Sequence, residues 1–318
     1  MAEQTIKNFY LTPSPHFSSG ETTQNIMLTV IAALVPLSGY GVYLFGIPAL
    51  VRILVSVASC VIFESLFRLI SRRDIRLFDF SAVVTGLLLA LVCPPSLPLW
   101  MLILGALFGI VVAKEFFGGL GANVFNPALS GRALLFVSFP AAMATWTVPF
   151  DTVSGATALS QIKAGEFASD IGTYLTYFLG KRGGCIGETS ALLILLAFVF
   201  LLATKIIDWR APVTMIVTTA AATALSGGDP LMAMLSGGLL FGAVFMTTDY
   251  ATSPVTTGGR YIFGFGCGLI TFLIRRFGGY PEGVMFSILI MNMLVPFLNN
   301  IIPHKYGWVK PKKTGATK

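Results

Sequence analysis

About ten runs of apolar residues constrain what this chain can fold into more than any other feature. They lie near 25–45, 48–70, 80–93, 97–115, 128–144, 189–207, 211–226, 231–247, 261–277 and 283–302. A helix that crosses a bilayer needs roughly 17–25 such residues. Only 11% of the 318 residues are charged, whereas about 25% are charged in a typical soluble domain. The sequence therefore predicts an all-α integral membrane protein with about ten transmembrane helices.

The runs form two groups of five, because the chain between residues 144 and 189 is polar. Five helices per half is an odd number, so we expect the second half to be inverted relative to the first. Runs 80–93 and 211–226 are short or interrupted by Gly and Pro, which favours broken or tilted helices that line a cavity. We divide the chain into an N-terminal segment 1–24, a first membrane half 25–144, a polar loop 145–188, a second membrane half 189–302 and a basic tail 303–318.

The placement of Lys and Arg predicts the orientation, because cytoplasmic loops of membrane proteins carry more of these residues. With the N-terminus inside, most basic residues and the tail 303–318 are cytoplasmic, and the loop 145–188 is on the outer face. Arg275 and Arg276 argue against this topology, since it places them outside. We interpret the net charge of +7 as mainly topological. We expect no nucleic-acid partner, because the basic residues are scattered over loops rather than gathered on one face.

A short motif in the polar loop carries the strongest chemical signal. Asp151 is followed three positions later by Ser154, Gly155, Ala156 and Thr157. This pattern resembles the acceptor sequence of bacterial flavin transferases, which join FMN through its phosphate to the Thr hydroxyl. The small residues let a transferase pocket close around the backbone, and the serine favours an open turn. The alternative is structural: the serine or the threonine begins a short helix as its N-cap.

Each half contains one polar loop rich in Gly, Asn, Asp and Pro, at 118–128 and at 247–260. Corresponding interruptions in two halves are typical of a binding site near the middle of the membrane. Asn123 and Asn126 are three residues apart, so on a helical turn they share a face, and their carboxamides can donate and accept hydrogen bonds. Asp249 is the candidate intramembrane acid. Helix capping is the alternative for all three side chains.

The other polar residues near or within predicted spans are interpreted more simply. Glu64 and Arg68 are expected to form an i,i+4 pair near a helix end and nothing more. Arg132, within the fifth span, needs a partner, which a backbone carbonyl or a flavin oxygen would provide. The four cysteines show neither CxxC spacing nor a histidine cluster, so we predict no metal site. We expect Cys185, in the polar loop, to be more exposed than the other three.

Together, the motifs resemble the family that includes the D subunit of Rnf complexes and the B subunit of sodium-pumping NADH:quinone oxidoreductases. The resemblance covers nearly the whole chain, and the motifs occur in the family's order. About 24 residues precede the first span, whereas the quinone-reducing members have a longer N-terminal region, and this difference favours the Rnf members. The residues that carry the resemblance are Ser14–His16, Met27–Pro36, Gly121–Ala128, Ser154–Leu159 and Thr248–Pro254.

The resemblance implies a fold and two flavin sites. The fold would be that of ammonium and urea channels, with the central pathway occupied rather than open. FMN would be esterified to Thr157 on the outer face. In the quinone-reducing relative, the two loop asparagines and the loop acid approach a non-covalent riboflavin, and by motif Asn123, Asn126 and Asp249 take those positions here.

The implied function is that of a membrane subunit in an ion-translocating electron-transport complex of a bacterial cytoplasmic membrane. It would pass electrons between ferredoxin-side and NAD-side subunits, coupled to Na⁺ or H⁺ translocation, with no independent catalytic activity. Its partners would be the A, B, C, E and G subunits, membrane lipid and, during maturation, a flavin transferase. Asp249 is the candidate to offset the negative charge of a reduced, buried flavin. The alternatives are a quinone-linked B subunit, a small-solute channel or carrier, and a purely structural subunit.

Overall fold

The computed structural model describes residues 22–74, 77–147, 170–278 and 282–301, and within these ranges it is all-helical. The flavin-acceptor motif at 151–157 lies outside the described residues. The helices are α1 (Thr23–Phe45), α2 (Ile47–Ile70), α3 (Ser81–Leu91), α4 (Leu99–Leu107), α5 (Pro127–Ser138), α6 (Pro140–Met143), α7 (Ile171–Leu179), α8 (Ala191–Ala203), α9 (Arg210–Leu225), α10 (Pro230–Leu235), α11 (Leu239–Phe241), α12 (Thr257–Phe277) and α13 (Val284–Asn299).

Polar and glycine residues between the apolar runs begin and end these helices. The side chain of Thr22 accepts a hydrogen bond from the Asn25 N–H (3.2 Å) and caps α1. Ser190 caps α8 in the same way, through the N–H of Leu193. Gly46 takes a φ of 70°, which glycine tolerates readily, and so lets the chain turn directly from α1 into α2. The helix boundaries therefore follow local chemistry that the sequence displays.

Every predicted apolar run contains a helix, but one break lies elsewhere than predicted. Run 211–226 forms the continuous helix α9, because its proline lies in the first turn, where a missing N–H costs nothing. Run 231–247 is the divided one. Gly237 and Gly238 take φ values of 63° and 65° there and separate α10 from α11.

Two further features depart from a simple helix count. α4 continues as a π-helical stretch, Phe108–Glu115, and α11 continues as another, Gly242–Met246. Such stretches are rare and often accompany functional sites. The predicted loop 145–188 is also partly helical, because it contains α7.

Three helices of the described residues, α1, α2 and α12, are long and apolar enough to cross a membrane, judged by length and composition. Shorter apolar helices, α3, α8 and α13, accompany them. The chain is thus an integral membrane protein of all-helical class. In the first half, α2 packs against α3 and α4, and α4 packs against α5. In the second half, α9 packs correspondingly against α10 and α12, and α12 packs against α13. This shared layout is what a repeat predicts, while the inversion of one half stays a prediction.

Glycines let helices approach closely in both halves. A Cβ on Gly131 of α5 would lie 2.5 Å from the Gly105 carbonyl oxygen of α4. A Cβ on Gly264 of α12 would lie 2.5 Å from the Ala211 carbonyl oxygen of α9. Small residues at helix contacts are the usual solution in membranes, where packing rather than hydrophobic burial holds helices together. The α4–α5 contact fixes the position of the loop that precedes α5.

Candidate functional site

A cavity near the N-terminal end of α1 brings together the three polar residues proposed from the two loops. Asn123, Asn126 and Asp249 all line it, although they come from different halves of the chain. The cavity opens to solvent, and the space in it together with its open mouth is about 760 Å³. Lys114 and Ser81 add polar atoms, and the remaining walls are mostly apolar. We call this cavity the asparagine pocket.

The two asparagines combine structural hydrogen bonds with free polar atoms. The Oδ1 of Asn126 accepts a hydrogen bond from the Leu129 N–H (3.2 Å) and caps α5, so the capping alternative is correct for this atom. The Nδ2 of Asn123 donates to the Phe125 carbonyl (3.1 Å). Within the described residues, the Nδ2 of Asn126 and the Oδ1 of Asn123 make no hydrogen bond. The pair therefore offers a ligand one amide donor and one amide acceptor.

A buried asparagine of α13 joins the two loops of the pocket. With its amide nitrogen directed at the Thr252 carbonyl, Asn292 donates to that oxygen (3.0 Å) and accepts from the Asn126 N–H (3.3 Å). Asn292 is 1% exposed. Because Thr252 belongs to the second-half loop and Asn126 to the first, this side chain holds the two loops in register.

The carboxylate of Asp249 organises its own loop and also lines the pocket. Its Oδ2 accepts a hydrogen bond from the Thr252 hydroxyl (2.9 Å), and its Oδ1 accepts one from the Ala251 N–H (3.4 Å). The Ser253 N–H donates to the Asp249 carbonyl (3.0 Å) and closes the turn. No side chain of the described residues forms a salt bridge with this carboxylate. Its hydrogen-bond partners are the Thr252 hydroxyl and the Ala251 N–H, and it also faces the pocket.

A buried network of four charges flanks the pocket. The Lys114 ammonium lies 2.7 Å from Glu64 Oε2 and 2.7 Å from the Ser81 hydroxyl. Arg68 bridges Glu64 (3.0 Å) and Glu115 (3.1 Å). All four ionic side chains are less than one-tenth exposed. The expectation that Glu64 and Arg68 form a simple i,i+4 pair is therefore wrong, because α4 and its π-helical extension bring two further charges against them.

A second polar cluster lies at the opposite end of the bundle, beside the loop 145–188. Arg132 of α5 contacts Glu282 (2.6 Å) and, at 3.6 Å, Glu188. These carboxylates are the partners of Arg132, in place of the predicted carbonyl or flavin oxygen. Two further arginines, Arg182 and Arg275, lie close enough to interact electrostatically with Glu188 or Glu282. We call these five residues the arginine cluster.

The cysteines do not form a metal site. Cys185 is fully buried, so the expectation that it is more exposed than the others is wrong; its thiol donates to the Val92 carbonyl (3.0 Å) inside the arginine cluster. Burial raises the pKa of this thiol well above its usual value. Within the described residues, no three His, Cys, Asp or Glu side chains lie close enough together to hold a metal ion.

Sequence reasoning missed Lys114 and Asn292. Lys114, at the end of the predicted run 97–115, is 2% exposed and lines the asparagine pocket. Asn292 is a lone amide within an apolar run. Both signals were visible, because a polar or charged residue inside a predicted span must find a partner. Neither sequence position reveals which loop that partner comes from.

The asparagine pocket suits a flavin ring by the chemistry of its lining. Apolar walls suit the faces of such a ring, and the free atoms of Asn123 and Asn126 suit its alternating carbonyl and N–H groups. The pocket is thus compatible with the second flavin that the resemblance implies. For the FMN at Thr157, the acceptor lies outside the described residues.

The chain matches known proteins along nearly its whole length. The model of the NQR2, RnfD, RnfE family matches residues 10–307. The chain is 44% identical to the D subunit of the Na(+)-translocating ferredoxin:NAD(+) oxidoreductase complex of Acetobacterium woodii, over 96% of this chain and 98% of that one. It is 41% identical to the proton-translocating counterpart of Clostridium ljungdahlii, over 96% and 99% of the two chains. It is also 41% identical to the D subunit of the ion-translocating oxidoreductase complex of Stutzerimonas stutzeri, over 90% and 92%.

Proposed function

The chain belongs to the NQR2, RnfD, RnfE family, and from this we propose that it is the D-type membrane subunit of an ion-translocating ferredoxin:NAD⁺ oxidoreductase complex. The observation that carries the proposal is the identity of 41–44% to subunits of that name over nearly the full length of each. The partners of the chain are then the other subunits of an Rnf complex. The chain contributes to an oxidoreductase without a catalytic residue of its own.

The covalent cofactor is FMN joined through its phosphate to the hydroxyl of Thr157. Support comes from the motif of Asp151, Ser154, Gly155 and Ala156 before that threonine. When bound, FMN supplies one- and two-electron redox chemistry, which the protein positions and tunes. The threonine serves as an attachment point and takes no part in turnover.

The asparagine pocket would hold the second, non-covalent flavin. Asn123 and Asn126 would orient the ring by one hydrogen bond each, while the apolar walls exclude water from it. Asn292 would keep the loop of Asn123 and Asn126 at a fixed distance from the loop of Asp249. These roles need rigid side chains, and the caps and turns described above provide that rigidity.

Ion coupling is assigned to the charges that face the same pocket. A negative charge placed in a buried cavity is costly unless a cation or proton accompanies it. Asp249 lines the pocket and forms no salt bridge within the described residues, so it is the group proposed to share that compensation. The names of the two relatives at 44% and 41% identity specify Na⁺ and protons respectively. Their identity to this chain therefore favours neither ion.

The proposal is tested by the flavin content of denatured protein. The chain is co-expressed with a flavin transferase and its Rnf partners, and intact mass and ultraviolet fluorescence are measured for the native sequence, Thr157→Ala and the neighbouring control Thr152→Ala. We expect a flavin-sized mass increment and yellow fluorescence in the native and Thr152→Ala proteins, and neither in Thr157→Ala. If an active transferase leaves the native chain without an adduct, the proposed cofactor is wrong.

A further inference from the structure

In the arginine cluster, the guanidinium of Arg132 lies close to two carboxylates but is hydrogen-bonded to one of them. Glu282 lies 2.6 Å from Arg132 Nη2 and is hydrogen-bonded to it. Glu188 lies 3.6 Å from Arg132 Nη1, beyond hydrogen-bond distance. Glu188 is 5% exposed. Because Glu188 is the more deeply buried carboxylate and its contact with Arg132 is longer, it is the less stabilised anion of the two.

The other two arginines direct their N–H groups elsewhere. Arg275 donates to the carbonyls of Ala233 (2.6 Å), Ser236 (3.0 Å) and Gly237 (3.2 Å), at the break between α10 and α11. Arg182 donates to the backbone carbonyl of Glu188 (2.8 Å), and its guanidinium lies 4.8 Å above the Tyr177 ring centre. Neither arginine forms a salt bridge with a carboxylate of the cluster, although both contribute positive potential.

The cluster opens to a pocket at the end of the bundle beside the loop 145–188. This pocket, of about 370 Å³ to its mouth, is lined by Glu188, Glu282, Arg182, Trp146 and Tyr177, among others. Glu282 and Arg182 are partly exposed, so the pocket gives Glu188 a polar route to solvent. The Nε atoms of Arg132 and Arg275 are buried without a hydrogen-bond partner in the described part of the chain. The cluster is therefore incompletely satisfied in its present charge state.

We propose that Glu188 is a proton-binding site, and that it exchanges its proton with solvent through this pocket while Arg132 and Glu282 remain a fixed ion pair. Protonation removes the negative charge of the more deeply buried carboxylate, which is beyond hydrogen-bond distance of Arg132. The backbone leaves the carboxyl room, because a Cβ on Gly238 would lie 2.5 Å from Glu188 Cδ.

The groups that face Glu188 come from five parts of the fold. Arg132 and Glu282 reach it from α5 and from the connection before α13. Arg182 and Cys185 belong to its own loop, and Cys93 interacts with it from the connection between α3 and α4. Burial raises the pKa of Glu188 to about 7; Arg132 acts to lower it and Glu282 to raise it. Arg275 of α12 adds a further positive charge nearby.

The geometry favours a proton over a metal cation as the ligand. A sodium ion would have to enter among three guanidinium groups, which repel it. The carboxylate of Glu282 is already engaged by Arg132 at 2.6 Å, so few oxygen atoms remain for coordination. A proton needs one carboxylate oxygen and a route to water, and the pocket lined by Glu188 provides that route.

The test is a pH titration by infrared difference spectroscopy on the assembled complex, comparing the native chain, Glu188→Gln and the control Asp74→Asn, whose carboxyl is exposed. We expect the C=O band of a protonated carboxyl to disappear with a midpoint near pH 7 in the native and Asp74→Asn complexes. In Glu188→Gln that band should be absent. The midpoint should not move when sodium replaces choline in the buffer.

Three results overturn the inference: no carboxyl titration near neutral pH in the native complex, the same band in Glu188→Gln, or a midpoint that shifts with sodium. Should Glu188→Gln fail to assemble, Glu188→Asp keeps the acid and is expected to retain the band at an altered midpoint; an unaltered band contradicts the assignment. The proposal does not depend on covalent FMN. Thr157→Ala is therefore expected to titrate like the native chain, so failure here and failure of the proposed function are distinguishable.

Discussion

At the scale of single residues, Asn126 has two roles that substitution can separate. Its Oδ1 caps α5, and its Nδ2 is free to contact a ligand. Aspartate caps a helix as well as asparagine does, whereas alanine loses about 1 kcal/mol of stability. We expect Asn126→Asp to fold normally but to retain less non-covalent flavin, and Asn126→Ala to lose both stability and flavin.

The measurement is the flavin released from the purified complex by denaturation, separated by chromatography, together with the thermal unfolding midpoint. The covalent FMN of each preparation serves as the internal standard. If Asn126→Asp retains the native amount of non-covalent flavin, the side chain acts only as a helix cap, and the proposal that it contacts the ligand is wrong.

Lys114 and Glu64 form a second residue-scale case, because they are buried opposite charges in contact at 2.7 Å. Removing one partner of a buried ion pair costs about 3–5 kcal/mol, since the other charge stays desolvated. We expect Lys114→Met to lower the unfolding midpoint strongly. Adding Glu64→Gln should restore part of the loss, because the double variant leaves fewer unpaired charges.

A double-mutant cycle on thermal unfolding of the detergent-solubilised complex measures this coupling. Additive effects of the two substitutions would mean that the 2.7 Å contact between Lys114 and Glu64 contributes nothing to stability. Arg68 and Glu115 stay native in all four proteins, so that their ion pair is constant.

At the scale of helices, the contact between α4 and α5 places the asparagine loop. A Cβ on Gly131 would meet the Gly105 carbonyl oxygen at 2.5 Å, and backbone cannot give way as a side chain can. We expect Gly131→Ala to separate the helices, to cost about 1–3 kcal/mol as overpacking does, and to lower the content of non-covalent flavin.

Gly39 of α1 is the matched control, because a Cβ there meets nothing within 4 Å. Gly39→Ala is expected to be neutral or slightly stabilising, since alanine favours a helix over glycine by up to about 1 kcal/mol. Unfolding midpoints and flavin content of both variants are compared. Equal behaviour of the two would show that close approach of α4 and α5 is dispensable.

At the scale of the whole molecule, burial changes how the basic residues report on topology. Lys114 is buried in an ion network, and Arg275 donates hydrogen bonds to carbonyls at the α10–α11 break. Neither residue is therefore an exposed loop charge of the kind that indicates topology. One of the two arginines that argued against a cytoplasmic N-terminus thus has a structural explanation. The cytoplasmic placement of the two termini stays a prediction.

Surface cysteines in the segments before and after α8 test this orientation. We expect Lys181→Cys to react with a membrane-impermeant maleimide in intact cells, and Lys205→Cys to react after permeabilisation alone. Both native lysines are exposed. The native chain is the control, because its four cysteines are at most 1% exposed and should not react. The reverse labelling pattern would invert the predicted topology.

The sequence by itself determined the class of the fold, the approximate helix positions and three of the polar residues that line the asparagine pocket. It could do so because apolar run length, caps such as Thr22 and glycines such as Gly46 act locally. Asn123, Asn126 and Asp249 were identified because polar loops between apolar runs are few. The flavin acceptor Thr157 was identified from a motif, and it stays a prediction.

The tertiary structure alone decided which charges meet. Glu64 and Arg68 were predicted to pair with each other, and Arg132 with a carbonyl or a flavin, because neighbours in sequence were the known candidates. Glu64 and Arg68 do pair, but each has a further partner, Lys114 and Glu115, and Arg132 pairs with Glu282; all three come from distant segments. Pairing across a membrane bundle depends on which helices approach closely and at what height, and no local pattern encodes that. The protonation site proposed at Glu188 is a property of this packing alone.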